Sequence, residues 1–239
     1  MLEILPEIQK ELNLQWQPPK IYKSLLSSTD LAWLLNDEEN NPNKKILPGR
    51  VFGLDTSKAF SYLKDKINSI LDYPFKVTGG NYFRTNVPYR LHADTGIDEH
   101  AKLYRIIVFP LQFKFENDYH EEFNSLAIMN QRWYHQAAFF MKGNEDQFAV
   151  KKQEYNQPVS DYSEMIGKSS EPFPIEIYDN YYNHISYTNF EGMSELLRVP
   201  WVPGDVITFD RSNIHTTTNF FKANITQKIG LTFFTEYSS

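Results

Sequence analysis

Pro203-Gly204-Asp205-Val206-Ile207-Thr208-Phe209-Asp210-Arg211-Ser212-Asn213-Ile214-His215 is the stretch on which the reading of this chain turns. Val202 to Asp205 reads as a tight turn, Val206-Ile207-Thr208-Phe209 as a buried strand, and the polar residues beyond as a loop that delivers His215. Its counterpart lies far upstream, in His92-Ala93-Asp94. Residues two apart on a strand point to the same face, so His92 and Asp94 can share one metal ion. Two imidazoles and a carboxylate form the ligand set of a facial triad, which holds non-haem Fe(II) and leaves positions open for substrate and O₂. A His-x-Asp triplet arises readily by chance in a chain with six His and 30 acidic residues, so the strand and loop leading to His215 carry the argument.

Around these segments the pattern is mostly β. A short helix is expected from about Ser28 to Leu35, capped by Ser28 or Thr29, and a longer one from Thr56 to Tyr73, where Phe60, Leu63, Ile67, Ile70 and Leu71 recur at helical spacing before Pro74. Short β-rich runs follow at residues 75–78, 82–85, 89–93, 103–115, 125–130 and 137–141, and again at 175–178, 184–190, 196–199, 206–209 and 228–237. Helices first and strands after describe a mainly β fold, a jelly roll with supporting N-terminal helices. The whole of 1–239 reads as one domain, with helical support over 1–74 and the jelly-roll core over 75–239. A polar insertion at 142–174 interrupts the core and would make a natural lid.

Composition narrows the function classes. Cysteine is absent, which removes disulfides, thiolate ligands and a Cys nucleophile. The formal charge of -6 and the lack of a basic block argue against a nucleic-acid partner. The N terminus has no signal-peptide pattern and no run of apolar residues is long enough to span a bilayer, so a cytoplasmic protein without membrane association is expected. Aromatic residues make up 15% of the chain, which suits half-buried strands and an aromatic-lined cavity.

Tyr89-Arg90-Leu91-His92-Ala93-Asp94, together with Pro203 through His215, resembles the 2-oxoglutarate/Fe(II)-dependent dioxygenases, most strongly their prolyl-4-hydroxylase-like branch. The resemblance covers roughly residues 75–237 and implies a double-stranded β-helix with iron held by His92, Asp94 and His215. It implies 2-oxoglutarate and O₂ as co-reactants, and hydroxylation of an unactivated C–H bond in a peptidyl, amino-acid or other small organic substrate. It further implies a basic residue on the strand after the distal His, paired with the far carboxylate of 2-oxoglutarate. Lys228 stands at that position, thirteen after His215 and so slightly beyond the family's usual spacing. A buried dicarboxylate needs such a cation to offset its desolvation. Arg90 and Arg105 are rival partners, and Arg90 would share a strand face with His92 and Asp94. Tyr89 stands where similar enzymes carry an aromatic residue that reaches the cosubstrate; a core Tyr bonded to a backbone carbonyl is an equal alternative. Related halogenases resemble the pattern with a small residue in place of the carboxylate, so Asp94 points to hydroxylation.

Three other readings concern residues outside the triad. His100, His120, His135 and His184 lack a paired ligand and read as surface or hydrogen-bonded groups, and Asp205 and Asp210 as turn formers. Tyr178, Tyr181, Tyr182, Tyr187 and Phe190 fit a core better than a cavity lining. Thr216, Thr217 and Asn213 are candidates to orient the imidazoles. Two alternatives stay open: a cupin-like metal-dependent isomerase or redox-neutral enzyme, and a non-catalytic β-sandwich binding protein.

Overall fold

The structure is a computed structural model that describes residues 16–95, 103–142 and 157–238. Strand β1 (Lys20–Tyr22) leads into helix α1 (Ser28–Glu39), a hairpin of β2 (Lys44–Leu47) and β3 (Arg50–Gly53), and helix α2 (Ser57–Ile70). The strands that follow are β4 (Phe75–Thr85), β5 (His92–Ala93), β6 (Leu103–Phe115), β7 (Ser125–Arg132), β8 (Ala138–Phe140) and β9 (Gln157–Val159). After a helical stretch come β10 (Glu195–Pro200), β11 (Val206–Asp210), β12 (Asn213–Thr217) and β13 (Ile225–Tyr237). They form a seven-stranded sheet, ordered β1-β11-β6-β13-β4-β3-β2, and a six-stranded sheet, ordered β10-β7-β12-β5-β8-β9. Early strands lie beside late ones in both sheets, as a jelly roll requires.

Strand alternation sorts the side chains into layers. On β6, Ile107, Phe109 and Leu111 face the helices, where they meet Leu34 of α1 and Ala59, Leu63, Ile67 and Ile70 of α2. Ile106 and Val108 face the other way and pack with Leu126, Ile128, Val199, Trp201, Ile207 and Phe209 between the sheets. The outer face of the smaller sheet is covered by Tyr162, Met165, Phe173, Tyr182 and Phe190. Strand β13 divides in the same way, with Ile229, Leu231 and Phe233 toward the helices. The opposite parity places Lys228, Thr232 and Phe234 in the interior.

Turn chemistry fixes the approach to the distal His. Asp205 donates its N–H to the Val202 carbonyl at 3.1 Å, with Pro203 and Gly204 between them. Gly204 has φ of +94°, the left-handed position of a type II turn, and a Cβ there would press on the Leu26 carbonyl at 3.1 Å. Asp205 holds the turn from outside by accepting from the Ser24 N–H and from Lys23 Nζ. Asp210 closes the next turn by accepting from Ser212 N and Oγ. Both aspartates are turn formers, as their positions suggest.

The structure departs from the sequence reading at several places. Helix α1 starts at Ser28 as expected, but its cap is Ser27, in a capping box with Asp30, rather than Ser28 or Thr29, and it runs on to Glu39. Helix α2 stops at Ile70, where Leu71 turns extended. The segment 1–74 is not only helical: β1, β2 and β3 join the larger sheet. Residues 175–190 are helical turns rather than strands, with helix at Ile175–Ile177, a π turn at Tyr178–Tyr182 and a 3₁₀ turn at Tyr187–Phe190. Their aromatic rings pack in the core outside the smaller sheet. Of the polar insertion, 143–156 lies outside the described residues. The remainder supplies β9 and the buried Tyr162, Met165 and Phe173, so that part is packed wall.

Leu63 is fully buried between α2 and the sheet, on the side away from the interior. Leu63→Ala should cost about 2–4 kcal/mol in urea unfolding while leaving metal affinity unchanged, as equilibrium denaturation and metal titration would read.

Candidate metal centre

His92 on β5 and His215 on β12 stand directly opposite each other in an antiparallel pair. Ala93 and Ile214 turn into the core cluster outside the smaller sheet, so the two imidazoles face inward. Asp94, two residues after His92, joins them. Its Oδ2 lies 3.6 Å from His92 Nε2 and 3.4 Å from His215 Nε2. The three ligand atoms all fall within 4.8 Å of one another. Around a six-coordinate ion with bonds of about 2.1 Å, adjacent ligands stand about 3 Å apart, so a small inward movement of these side chains would close the set.

The far nitrogen of each ring is already committed. His92 Nδ1 lies 2.9 Å from the Arg90 carbonyl and His215 Nδ1 lies 3.0 Å from the Asn213 carbonyl. A carbonyl only accepts, so each Nδ1 donates and each Nε2 keeps its lone pair for a metal. Charge states agree with this. Burial and the neighbouring His215 push the His92 imidazolium down to about 3, leaving a neutral ring. Burial alone would raise Asp94, but its polar surroundings, with the Arg211 guanidinium as the fixed positive charge, outweigh it and hold the carboxyl at about 2, leaving it ionised.

The triad opens into a cavity of about 530 Å³. Its wall includes Tyr89, Thr216, Thr217, Arg50, Arg211 and Lys228. Thr217 Oγ1 accepts from the Tyr89 N–H at 2.8 Å and Thr216 Oγ1 donates to the Tyr89 carbonyl. These two residues therefore moor the strand that carries His92, rather than contacting an imidazole. The Tyr89 ring stands edge-on to His92 at 4.3 Å, and burial raises its hydroxyl to about 12. Asn213 orients His215 through its backbone carbonyl, while its side chain donates to the Met129 carbonyl.

Lys228 is 1% exposed, and its Nζ has no hydrogen-bond partner among the described residues. It lies about 5 Å from the Trp201 and Phe220 rings. Gly230, next on the same face, makes room for this wall, since a Cβ there would lie 2.5 Å from Phe83 and 3.0 Å from Trp201. Arg105 is differently employed: it donates to the Gln17, Pro18 and Thr208 carbonyls and to Thr208 Oγ1. Arg90 lies over the Phe139 ring and near the Met141 sulfur, outside the described cavity wall. Strand β5 is too short for alternation to carry Arg90 to the face of His92.

Two cavity residues escaped the sequence reading. Arg211 sits in the quoted stretch and donates to the Asp94 carbonyl at 3.2 Å and toward Glu236 at 3.6 Å. Arg50 comes from the β2–β3 hairpin, in a region whose short strands give little periodic signal. The remaining described histidines stay apart from the triad. His135 pairs with Glu164 and His184 approaches the Tyr89 carbonyl, while His120 is exposed. His100 lies outside the described residues. No helix among the described residues is long and apolar enough to cross a membrane.

No protein-family model and no curated protein sequence matches this chain. Solved structures do. HygX from Streptomyces hygroscopicus, determined with nickel, 2-oxoglutarate and hygromycin B bound, is 12% identical with a TM-score of 0.52, over 98% of this chain and 88% of that one. SnoN, a non-haem α-ketoglutarate-dependent epimerase from nogalamycin biosynthesis, is 10% identical with a TM-score of 0.55, over 98% and 85%. A prolyl-4-hydroxylase from Pseudomonas putida is matched at 10% identity and a TM-score of 0.45. Built around a His-Asp-His cluster that can hold a metal, the chain thus shares its jelly-roll fold with 2-oxoglutarate-bound HygX and with the α-ketoglutarate-dependent epimerase SnoN.

Proposed function

We propose that this protein is a non-haem Fe(II)- and 2-oxoglutarate-dependent oxygenase that hydroxylates an unactivated C–H bond of a small organic substrate. The observation that carries the reading is the pairing, in one cavity, of inward-facing ligand atoms from His92, Asp94 and His215 with the unpartnered ammonium of Lys228. A ligand set of two imidazoles and a carboxylate suits Fe(II). An orphaned buried cation suits the far carboxylate of a dicarboxylate cosubstrate. The redox-neutral cupin-like alternative gives Lys228 no such partner.

The bound iron would supply the oxygen chemistry, one atom of O₂ passing to succinate and the other to the substrate carbon, with CO₂ released. The chain's own residues prepare the site. The Arg90 and Asn213 carbonyls lock the imidazole tautomers, and Thr216 and Thr217 fix the strand bearing His92. Lys228 would set the direction of the cosubstrate, its charge unscreened between Trp201 and Phe220. Asp94 would supply a full carboxylate to the metal, which favours hydroxylation.

Burial lowers the Lys228 ammonium to about 7. A bound carboxylate would raise it again, so 2-oxoglutarate affinity should be greatest below pH 7 and fall as pH rises past that value. Anaerobic titration of the Fe(II) protein, read by the weak visible band of a chelated keto acid, measures this. Lys228→Met should abolish the pH dependence and weaken binding about tenfold or more. An unchanged affinity would refute the assignment.

The same shift has a stability consequence. Lys228 titrates near 7 when folded and near 10.5 when unfolded, so its charge penalty is full below pH 7 and is relieved as pH rises through that window. At pH 6 the metal-free Lys228→Met protein should therefore be more stable than the parent by about 1–4 kcal/mol, as a calorimetric melt would show. His92→Ala should leave the fold intact but lose the iron and the visible band together; retained stoichiometric iron would overturn the triad.

A further inference from the structure

Two cations enter the interior in one row of the larger sheet. Arg50 on β3 and Lys228 on β13 are each in register with Thr85 of β4, which lies between them. Neighbouring strands are about 4.8 Å apart, so the two backbone positions stand about 10 Å from each other. Both side chains line the cavity. Lys228 is accounted for by the cosubstrate, whereas Arg50 is not.

Arg50 is 7% exposed, and its guanidinium carbon lies 3.3 Å from the centre of the Tyr89 ring. That stacking occupies one face of the planar group and leaves its hydrogen-bonding edges unspent. Among the described residues the guanidinium has no hydrogen bond or ion pair, and its Nε is buried without a partner. Burial also lowers its affinity for protons, though an arginine at about 10 remains charged at neutral pH. An unmatched buried charge is costly unless an occupant of the cavity meets it.

The charges in the cavity indicate what that occupant brings. In the reading proposed above, on which this inference rests, a divalent iron, ionised Asp94, protonated Lys228 and doubly charged 2-oxoglutarate cancel. Arg211 has Glu236 at 3.6 Å, and Lys45 has a partner of its own. The positive charge of Arg50 is left over among the described lining residues.

We propose that Arg50 receives a carboxylate of the primary substrate, which is a small organic acid with an apolar body. A guanidinium offers parallel N–H donors that fit a carboxylate in bidentate fashion. Tyr89 links Arg50 to the metal centre, touching the guanidinium on its face and His92 at 4.3 Å. An acid held there has its body beside the triad. Leu47, Phe52, Leu54, Phe83 and Phe234 supply the apolar surface that the body would cover. A cavity of about 530 Å³ suits a small molecule.

The test uses hexanoate, octanoate and 4-phenylbutyrate, each beside its primary amide, titrated calorimetrically into Ni(II)-loaded protein saturated with 2-oxoglutarate. At least one acid should bind wild type about tenfold or more tighter than its amide, a preference that Arg50→Gln removes and Arg50→Lys partly keeps. In Arg50→Gln the 2-oxoglutarate affinity, from the anaerobic Fe(II) band, should stay within about threefold of wild type. Thermal melts check folding, and loss of an unmatched buried charge should raise the melting point of Arg50→Gln; should that variant fail to fold, Arg50→Lys carries the comparison. Absence of any acid-over-amide preference would overturn the proposal. So would a 2-oxoglutarate loss in Arg50→Gln as large as in Lys228→Met, which would place Arg50 in the cosubstrate site. If wild type itself gave no Fe(II) band, the oxygenase reading would fail, while the Arg50-dependent preference could still be read with Ni(II) alone.

Discussion

The pairing of His92 with His215 is the constraint from which the rest of the structure follows. Strand β5 is only two residues long, yet it must lie antiparallel to a strand more than a hundred positions later for two imidazoles to share an ion. A jelly roll meets that demand because its strands alternate between sheets, bringing early and late segments together. Around this contact everything else is support. The helices seal the outer face of the larger sheet, the aromatic turns of 175–190 seal that of the smaller one, and the interior between them is free to hold charge.

That interior is assembled against the usual tendency of buried groups. Most of the buried polar atoms are paired, and the turn aspartates, the threonine moorings and the Arg105 cluster show how thoroughly the chain meets such needs elsewhere. At the cavity the pattern reverses. A lysine ammonium and an arginine guanidinium enter apolar surroundings unpaired, and a carboxylate is held ionised beside the neutral His92 ring. Stability given up at such positions is recovered when ligands arrive, which couples the folded state to occupancy.

Much of this was legible in the sequence, for identifiable reasons. The turn at Pro203-Gly204, the buried run Val206–Phe209 and the triplet around His92 are local signals, and strand alternation converts them into directions. Helix α2 announced itself by spacing alone. The β2–β3 hairpin did not, since its strands are four residues each and one lies at a sheet edge, where alternation is weak. Residues 175–190 misled because aromatic residues favour strands in general, while here they pack as helical turns against a sheet that the local pattern does not reveal. Arg50 was illegible for a deeper reason: its place in the site comes from register with Thr85 and Lys228, which is a property of the assembled sheet.

The position of that hairpin has a consequence for how such a protein can change. Strand β3 is attached to the sheet through β4 on one side and carries only β2 beyond it, and neither strand contributes a metal ligand. The hairpin that lines one side of the cavity is thus separable from the segments that carry the His-Asp-His cluster. Insertions, deletions or wholesale replacement between α1 and α2 would leave the pairing of β5 with β12 undisturbed. Within one scaffold, the hairpin that carries Arg50 is free to diversify on its own, at a rate set by what the sheet edge tolerates rather than by what the His-Asp-His cluster demands.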